Sequence, residues 1–316
     1  MTSSCALRGP VIIAGPTAVG KSALGLALAR RAPGEILAAD SMQVYRGLDV
    51  GTGKPTPAER AEIPHHLLDI CLPTESFSAG EFARQARQIA AAVQARGRLP
   101  ILVGGTGLYL RAFRRGELLG AGSDPAVRGR LREAAAADGG RGLYARLATV
   151  DPASASRIHP GDLVRIVRAL EVWELTGRPP SELRPGLWDS PVRWGGLFLV
   201  LTRPREELYR LIDARCRRMW EGGLLEETRA LLALGEAARV RPLLALGYRQ
   251  AAEYLAGERS AAEGLEAMRR ATRNYAKRQL TWFRREPEAR WLEVTGGDWV
   301  ERTAQRILEG AWEASG

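Results

Sequence analysis

The segment Gly15-Pro16-Thr17-Ala18-Val19-Gly20-Lys21-Ser22 fits G-x-x-x-x-G-K-[ST], the pattern of a phosphate-cradling loop. Its glycines let backbone N–H groups turn toward an anion, and the N-terminus of a following helix adds partial positive charge. Lys21 contributes a full charge, and Ser22 is the residue type that holds Mg2+ against phosphates. The flanks agree, because Val11 to Ala14 reads as a buried strand and Ala23 to Arg31 as a helix. A polyphosphate site is therefore predicted; the alternative is a glycine-rich strand-to-helix turn with no ligand.

Asp40 follows the apolar strand predicted over Ile36 to Ala39, which puts its carboxylate beside the phosphate loop. It reads as a magnesium-side acid, as a base that takes a proton from a nucleophile, or as a cap for the next turn. Thr106 lies in Gly104-Gly105-Thr106-Gly107, after a strand predicted over Ile101 to Val103. Glycines there would let a large flat substrate approach the backbone, with the hydroxyl left for one hydrogen bond; a simple tight turn is the other reading. Arg215 falls on a helix predicted over Arg205 to Trp220, in a row with Leu208, Leu211, Ile212 and Met219. A guanidinium among core-facing residues is costly unless an anion such as diphosphate meets it. The plain alternative is an arginine snorkelling at the edge of the face.

A helix predicted over Ala267 to Arg285 has two opposed sides. Arg270, Arg273, Lys277, Thr281 and Arg284 recur at three- and four-residue spacing on one, and Met268, Ala271, Tyr275 and Trp282 on the other. Few acids interleave with the basic row, which favours a surface that tracks a phosphate backbone over a merely solvated face. Arg165 and Arg168 offer a second basic contact. The pair His65-His66 sits in an extended segment where neighbours point to opposite sides, and no third ligand is near, so a structural role outweighs a metal site.

Strand and helix must alternate to position these groups. The order is strand Val11 to Ala14, helix, strand Ile36 to Ala39, a long loop, helix Ala79 to Arg96 and strand Ile101 to Val103. Ser78 and Glu81 have capping-box spacing, and Gly97 marks the stop. Such a pattern predicts an α/β class: a P-loop NTPase-like core whose parallel sheet is flanked by helices, with ligands beyond the carboxyl ends of the strands. From about Gly120 the pattern turns to helices rich in Arg and Ala, and a core strand returns at Gly196 to Leu201. The predicted organisation is a core of residues 1–119 and 194–316 with a helical insertion domain over 120–193.

A chain of 316 residues can bury one large core, and 46 Lys+Arg against 36 Asp+Glu give a formal charge of +10. That balance suggests a polyanionic partner larger than a nucleotide, although an arginine- and alanine-rich composition also follows from a GC-rich genome. No apolar stretch has the length of a membrane span, and the N-terminus lacks a signal-peptide pattern, so a soluble cytoplasmic protein is expected. Cys5, Cys71 and Cys216 are expected to be free thiols.

With these pieces placed, the chain closely resembles the tRNA dimethylallyltransferases, also called isopentenyl-tRNA transferases. The resemblance rests on residues 15 to 22, Asp-Ser-Met-Gln-Val-Tyr-Arg-Gly-Leu-Asp-Val-Gly-Thr-Gly-Lys-Pro (40 to 55), Pro-His-His-Leu-Leu-Asp (64 to 69) and Val-Gly-Gly-Thr-Gly-Leu-Tyr (103 to 109). It continues through Arg-Ile-His-Pro (157 to 160), Arg-Ala-Leu-Glu (168 to 171), Leu-Gly-Tyr-Arg-Gln (246 to 250) and Ala-Lys-Arg-Gln-Leu-Thr-Trp-Phe-Arg (276 to 284). Many families share the phosphate loop; Asp-Ser-x-Gln-x-Tyr together with Lys-Arg-Gln-x-Thr-Trp is far more specific.

The resemblance implies transfer of a dimethylallyl group from dimethylallyl diphosphate to N6 of the adenosine at tRNA position 37, next to the anticodon, with release of diphosphate. The phosphate loop would then hold an isoprenoid diphosphate rather than ATP, with Mg2+ at Ser22. Carried over by motif, Asp40 is the general base, Thr106 contacts the reacting adenosine and Arg215 binds diphosphate. The implied contacts to the tRNA anticodon stem-loop are Asp40, Ser41, Met42, Gln43, Thr106 and Arg128, then Leu163, Val164, Arg165, Ile166 and Val167. Gly247, Tyr248 and Arg249 follow, with Lys277, Arg278, Gln279, Thr281, Trp282 and Arg284. Where the family often has Gln-Arg this chain has Val164-Arg165, which removes one polar contact. A monomer with no membrane partner is expected. Two other readings are a P-loop kinase of a small metabolite, which leaves the basic helix unexplained, and a nucleotide-dependent RNA-remodelling protein, for which no ATPase constellation is evident.

Overall fold

The computed structural model describes residues 9–116, 124–183, 191–235 and 241–310. Cys5 and the start of the predicted insertion at Gly120 lie outside them. The chain divides into one unit of residues 1–114 and 194–316 and another of residues 115–193.

The first unit is built on strands whose residues are apolar on both faces. β1 (Val11–Ala14), β2 (Gly34–Ala38) and β4 (Leu99–Val103) are buried throughout, as strands covered by helices on each side must be. With β3 (His65–His66), β5 (Leu197–Thr202) and β6 (Arg290–Glu293) they form a six-stranded sheet in the order β3-β2-β4-β1-β5-β6. Every neighbouring pair is parallel, with Ile12 beside Leu102 on one side and Phe198 on the other. The carboxyl ends of β1, β2 and β4 thus lie side by side. Gly104 N donates to Ile13 O at 3.2 Å and Ala39 N to Val103 O at 2.8 Å, which ties the loops leaving the three strands. The predicted parallel α/β core is observed, with β3 and β6 added at the edges, where a two-residue strand and the half-exposed segment Arg290–Glu293 carry little apolar signal.

Helices cover the sheet. α1 (Lys21–Arg31) starts inside the phosphate loop and is buried on every side over Leu24 to Ala29. α2 (Pro57–Glu62) is a short capped turn, and α3 (Ala79–Ala95) buries Phe82, Ala83, Ala86, Ala90 and Val93 at three- and four-residue spacing. Ser78 accepts from Glu81 N at 3.1 Å, the first half of the predicted capping box. α4 (Gly107–Arg115) closes the unit's first segment, and Arg111 on it is almost fully buried.

In the second unit, α5 (Pro125–Ala136), α6 (Arg141–Val150), α7 (Pro152–Ala155), α8 (Leu163–Thr176) and α9 (Pro180–Leu183) enclose a separate small core. Leu131, Leu143, Leu147, Ile166 and Leu170 are its centre. Ile166 and Val167, expected among the tRNA contacts, face this core, because α8 must bury one side of every turn; Val164 and Arg165 on the other side are exposed.

Back in the first unit, α10 (Arg205–Glu221), α11 (Leu224–Ala233), the 3-10 turn Arg241–Leu244, α12 (Tyr248–Leu255), α13 (Ala261–Phe283) and α14 (Trp299–Leu308) complete the chain. Two predicted helix faces shift by about a residue. On α10 the buried row is Leu208, Ile212, Cys216 and Trp220, while Leu211 is exposed and Arg215 and Met219 sit at the row's edge. On α13 the buried row is Met268, Thr272, Ala276, Gln279 and Phe283, with Tyr275 and Trp282 only half-buried.

Glu286, just past α13, is as buried as Arg111, and the two pair with Nε donating to Oε1 at 2.8 Å. Removing one partner of a buried pair leaves an uncompensated charge and costs about 3–5 kcal/mol. Glu286→Ala is therefore expected to lower the denaturant midpoint accordingly, as read by equilibrium unfolding; a loss below about 1 kcal/mol would show that water reaches Arg111.

Candidate active site

The phosphate loop is held by backbone conformations that only its sequence tolerates well. Gly15 has φ 139° and Gly20 φ 110°, and Ala18, despite its Cβ, has φ 64°. A non-glycine residue in the left-handed region stores strain, and alternation into that region turns successive N–H groups into an anion-binding concavity. Gly15 has a second constraint, since a Cβ there would meet Leu201 O at 2.6 Å. Pro16 and Val19 pack inward, while Thr17, Ala18, Lys21 and Ser22 line a cavity of about 610 Å3.

Asp40, Ser41, Met42 and Gln43 line the same cavity from the end of β2, as does Arg215 from α10. The fields of these groups act on one another. Lys21 is half-buried by surface area yet enclosed by protein atoms, and its Nζ donates to Gly15 O at 3.0 Å and Pro16 O at 2.7 Å. Burial, reinforced by repulsion from Arg215, pulls its ammonium down to about 7, against the attraction of Asp40. Burial also lowers the Arg215 pKa, and Asp40 again opposes the shift. Arg215 Nη2 donates to Thr52 O at 3.3 Å. Asp40 Oδ1 accepts from Met42 N at 2.9 Å, so the turn-capping alternative is real, and it occupies only one of the two carboxylate oxygens.

Thr106 stands behind Asp40's turn: its Oγ1 accepts from Ser41 N at 3.0 Å. Tyr275 lines the cavity and has Arg278 over its ring at 5.7 Å. Burial first, and then the Asp40 charge, push its phenol well above the ordinary range, so it is a neutral hydroxyl. Sequence patterning assigned Tyr275 to the packed side of α13. Its proximity to the cavity follows from the one-residue shift of the buried row, which periodicity alone does not resolve.

The glycines around Thr106 serve packing while Gly104 and Gly105 also line the cavity: a Cβ on Gly104 would meet Ala39 O at 2.1 Å, on Gly105 the Gln279 amide at 2.2 Å, and on Gly107 the Trp282 ring at 2.2 Å. These glycines let β2's end and α13 approach. Gln279 itself, expected at the tRNA surface, is buried, with Oε1 accepting from Thr17 N and Nε2 donating to Gly105 O, both at 2.9 Å.

Two anchors that motif reading did not assign fix the loop from Asp40 to Pro55. The Glu227 carboxylate accepts from the N–H groups of Asp49, Val50 and Gly51 at 2.8, 2.7 and 3.0 Å, and from Tyr248 Oη at 2.7 Å. Tyr248 and Gly247, expected to touch tRNA, are buried, and Tyr248 supports the loop through its hydroxyl. Lys54, with a side chain 1% exposed, donates to Tyr45 O, Asp49 Oδ1 and Asp69 Oδ1 at 2.7, 2.7 and 2.5 Å. Gln43 Nε2 reaches Thr52 O and Gly53 O at 3.2 and 3.1 Å.

Other predicted contacts divide by exposure. Lys277, Thr281 and Arg284 are exposed on α13, as is Arg270, whereas Arg273 forms a two-pronged pair with Asp213 and leaves the basic row. Arg249 is exposed and pairs with Glu253 at 3.0 Å. Arg128 and Arg168 both pair with the buried Glu171, at 2.8 and 2.6 Å, and so brace α5 and α8; Arg165 is exposed beside Asp162. His65 lines the cavity while His66 Nε2 meets Glu35 Oε2 at 2.6 Å, so the two side chains point to opposite sides.

A family model described as IPP transferase matches residues 43–286. A tRNA dimethylallyltransferase from Syntrophobacter fumaroxidans is 50% identical over 286 residues, which is 90% of this chain and 83% of the relative. The full-length tRNA isopentenylpyrophosphate transferase of Bacillus halodurans superposes with TM-score 0.69 at 37% identity, covering 97% of this chain and 98% of the other. A eukaryotic dimethylallyltransferase captured acting on tRNA superposes with TM-score 0.76 at 27% identity, covering 97% and 77%.

The Lys21 shift has a measurable sign. Below about 7 the free protein carries the ammonium; above it the amine is neutral and an arriving anion must recharge it. Affinity for inorganic diphosphate is expected to fall as pH rises through about 7, relative to Lys21→Arg, whose charge does not titrate. Binding on the alkaline side should take up a proton, which calorimetry in two buffers of different ionisation enthalpy reads. Parallel pH profiles for the two proteins would refute the assignment.

Proposed function

The chain belongs to the IPP transferase family, and on that premise we propose that it transfers a dimethylallyl group from dimethylallyl diphosphate to N6 of the adenosine at tRNA position 37, releasing diphosphate. The observation that carries this reading is the shared cavity, where a phosphate loop, two cations and one carboxylate act on each other electrostatically. Lys21, Arg215 and the loop amides receive the isoprenoid diphosphate. As the allylic carbon–oxygen bond breaks, its electron pair leaves with the diphosphate, where these groups stabilise the growing negative charge.

The adenine amine is a weak nucleophile because its lone pair is delocalised into the ring. Asp40 accepts the N6 proton as the new nitrogen–carbon bond forms, while Met42 N holds its other oxygen in place. Thr106, fixed by Ser41 N, offers the adenosine a hydrogen bond. Ser22 opens α1 on the cavity wall, and no group of three or more His, Cys, Asp or Glu among the described residues is arranged to hold a metal. That donor set fits a Mg2+ ion held mainly by diphosphate oxygens, with Ser22 as one protein ligand. When bound, the ion supplies charge neutralisation at the leaving group.

The exposed Arg270, Lys277 and Arg284 of α13 give the tRNA backbone its contacts, and turning the target base out of its stack costs a few kcal/mol that such contacts offset. Among the described residues no helix is long and apolar enough to cross a membrane. The same reading has the enzyme act in the cytoplasm on its tRNA substrate, with every group it invokes supplied by one chain.

Incubation with unmodified tRNA and labelled dimethylallyl diphosphate should move label into the tRNA; ATP hydrolysis or γ-phosphate transfer with unlabelled tRNA would overturn the reading. Asp40→Asn keeps an oxygen for Met42 N but removes the base, and should lower kcat about 10²- to 10⁴-fold with tRNA affinity nearly unchanged. A collapse of tRNA binding instead would make Asp40 an RNA contact. Neutralising Arg270, Lys277 and Arg284 should flatten the log–log salt dependence of tRNA binding by about 0.7–0.9 for each phosphate no longer neutralised. An unaltered slope would remove α13 from the interface.

A further inference from the structure

Gln279 sits in a stretch whose resemblance assigns it to RNA binding, yet its side chain is 6% exposed and both ends of its amide are spent inside the protein. One end holds Thr17 N in the phosphate loop and the other holds Gly105 O in the turn that carries Thr106. These are the two segments that, under the prenyl-transfer reading, hold the diphosphate and meet the adenosine. We infer that Gln279 is a positioning residue, a clasp that sets the spacing between the donor's phosphate loop and the acceptor's turn. The inference rests on that reading of the reaction and adds a role to it.

Three observations support the clasp over a generic packing role. A primary amide donates at one end and accepts at the other without carrying charge, which is what a backbone N–H on one side and a backbone C=O on the other require. The two bonds span residues 262 and 174 positions away in sequence, so no local element fixes this separation. Gly105 is shaped for it, since a Cβ there would lie 2.2 Å from Gln279 Nε2, while its other near neighbours, Gln279 Cδ and Gly15 O, are no closer than 3.4 Å. Because Gln279 takes up Thr17 N, the first half of the phosphate loop is braced by α13 at the wall of the cavity that both residues line. Reaction between two bound partners depends steeply on their separation, and a misplacement on the order of 1 Å costs up to about 100-fold in rate.

The test is a cycle of Gly105→Ala and Gln279→Ala, assayed with labelled dimethylallyl diphosphate and an anticodon stem-loop, alongside the wild-type enzyme. Each single variant should lower kcat about 10- to 100-fold, with stem-loop affinity within about twofold of wild type. Gly105→Ala should cost little more in the Gln279→Ala background, because the methyl group then meets no amide. Gln279→Glu keeps the acceptor for Thr17 N but sets a carboxylate oxygen against Gly105 O, and should also lose kcat; it carries the test if Gln279→Ala does not fold.

Weakened stem-loop binding with kcat retained would make Gln279 an RNA contact and overturn the clasp. Full additivity of the two substitutions, or a rate loss that tracks only the unfolding midpoint, would overturn it as well. Transfer by the wild type with undiminished kcat in the variants sinks the clasp alone, whereas no transfer by the wild type sinks the prenyl-transfer reading and the clasp with it.

Discussion

Two cations that repel each other are held at one cavity wall with a single carboxylate between their fields. Lys21 and Arg215 each lose charge stability to burial, and Asp40 returns only part of it. A site left short of negative charge is poised for an anion, and an anion that gains charge as a bond breaks is bound more strongly at the transition state than before it. The burial that works against both cations in the free protein is what makes them effective once diphosphate is present.

The remaining architecture can be understood as the means of keeping that arrangement intact. Three adjacent parallel strands bring the loops after β1, β2 and β4 together. Helix α10 delivers Arg215 from its edge, and α13 presses Gln279 and Trp282 onto glycines that have no side chain to resist them. The loop from Asp40 to Pro55 has almost no regular structure of its own. It is fixed from outside by Glu227 and from within by Lys54 and Gln43, which between them bind backbone groups that would otherwise need water.

Local chemistry was legible in the sequence, and long-range chemistry was not. The phosphate loop, the strands around it and the cavity position of Asp40 follow from contiguous residues whose types and spacing are decided by their own backbone. The register of α13 does not: its buried row contains the polar Thr272, whose hydroxyl is satisfied by Met268 O of its own helix, and Gln279, which tertiary hydrogen bonds pull in. Arg273 and Arg128 looked like free charges because their partners, Asp213 and Glu171, lie 60 and 43 residues away. Glu227 carries no motif at all; only the fold shows that three consecutive amides point at it.

That last interaction bears on how the protein is made. Residues 49 to 51 emerge from the ribosome long before Glu227, and so do the strand ends they help to frame. Until the carboxylate arrives, those amides have no protein acceptor of this kind, and Arg215 has been synthesised only a dozen residues earlier. A nascent N-terminal half holds no finished pocket, since Arg215 and Gln279 on the cavity wall come later in the chain. The substrate-binding chamber is therefore completed late in translation, when the C-terminal third of the polypeptide folds back over the first.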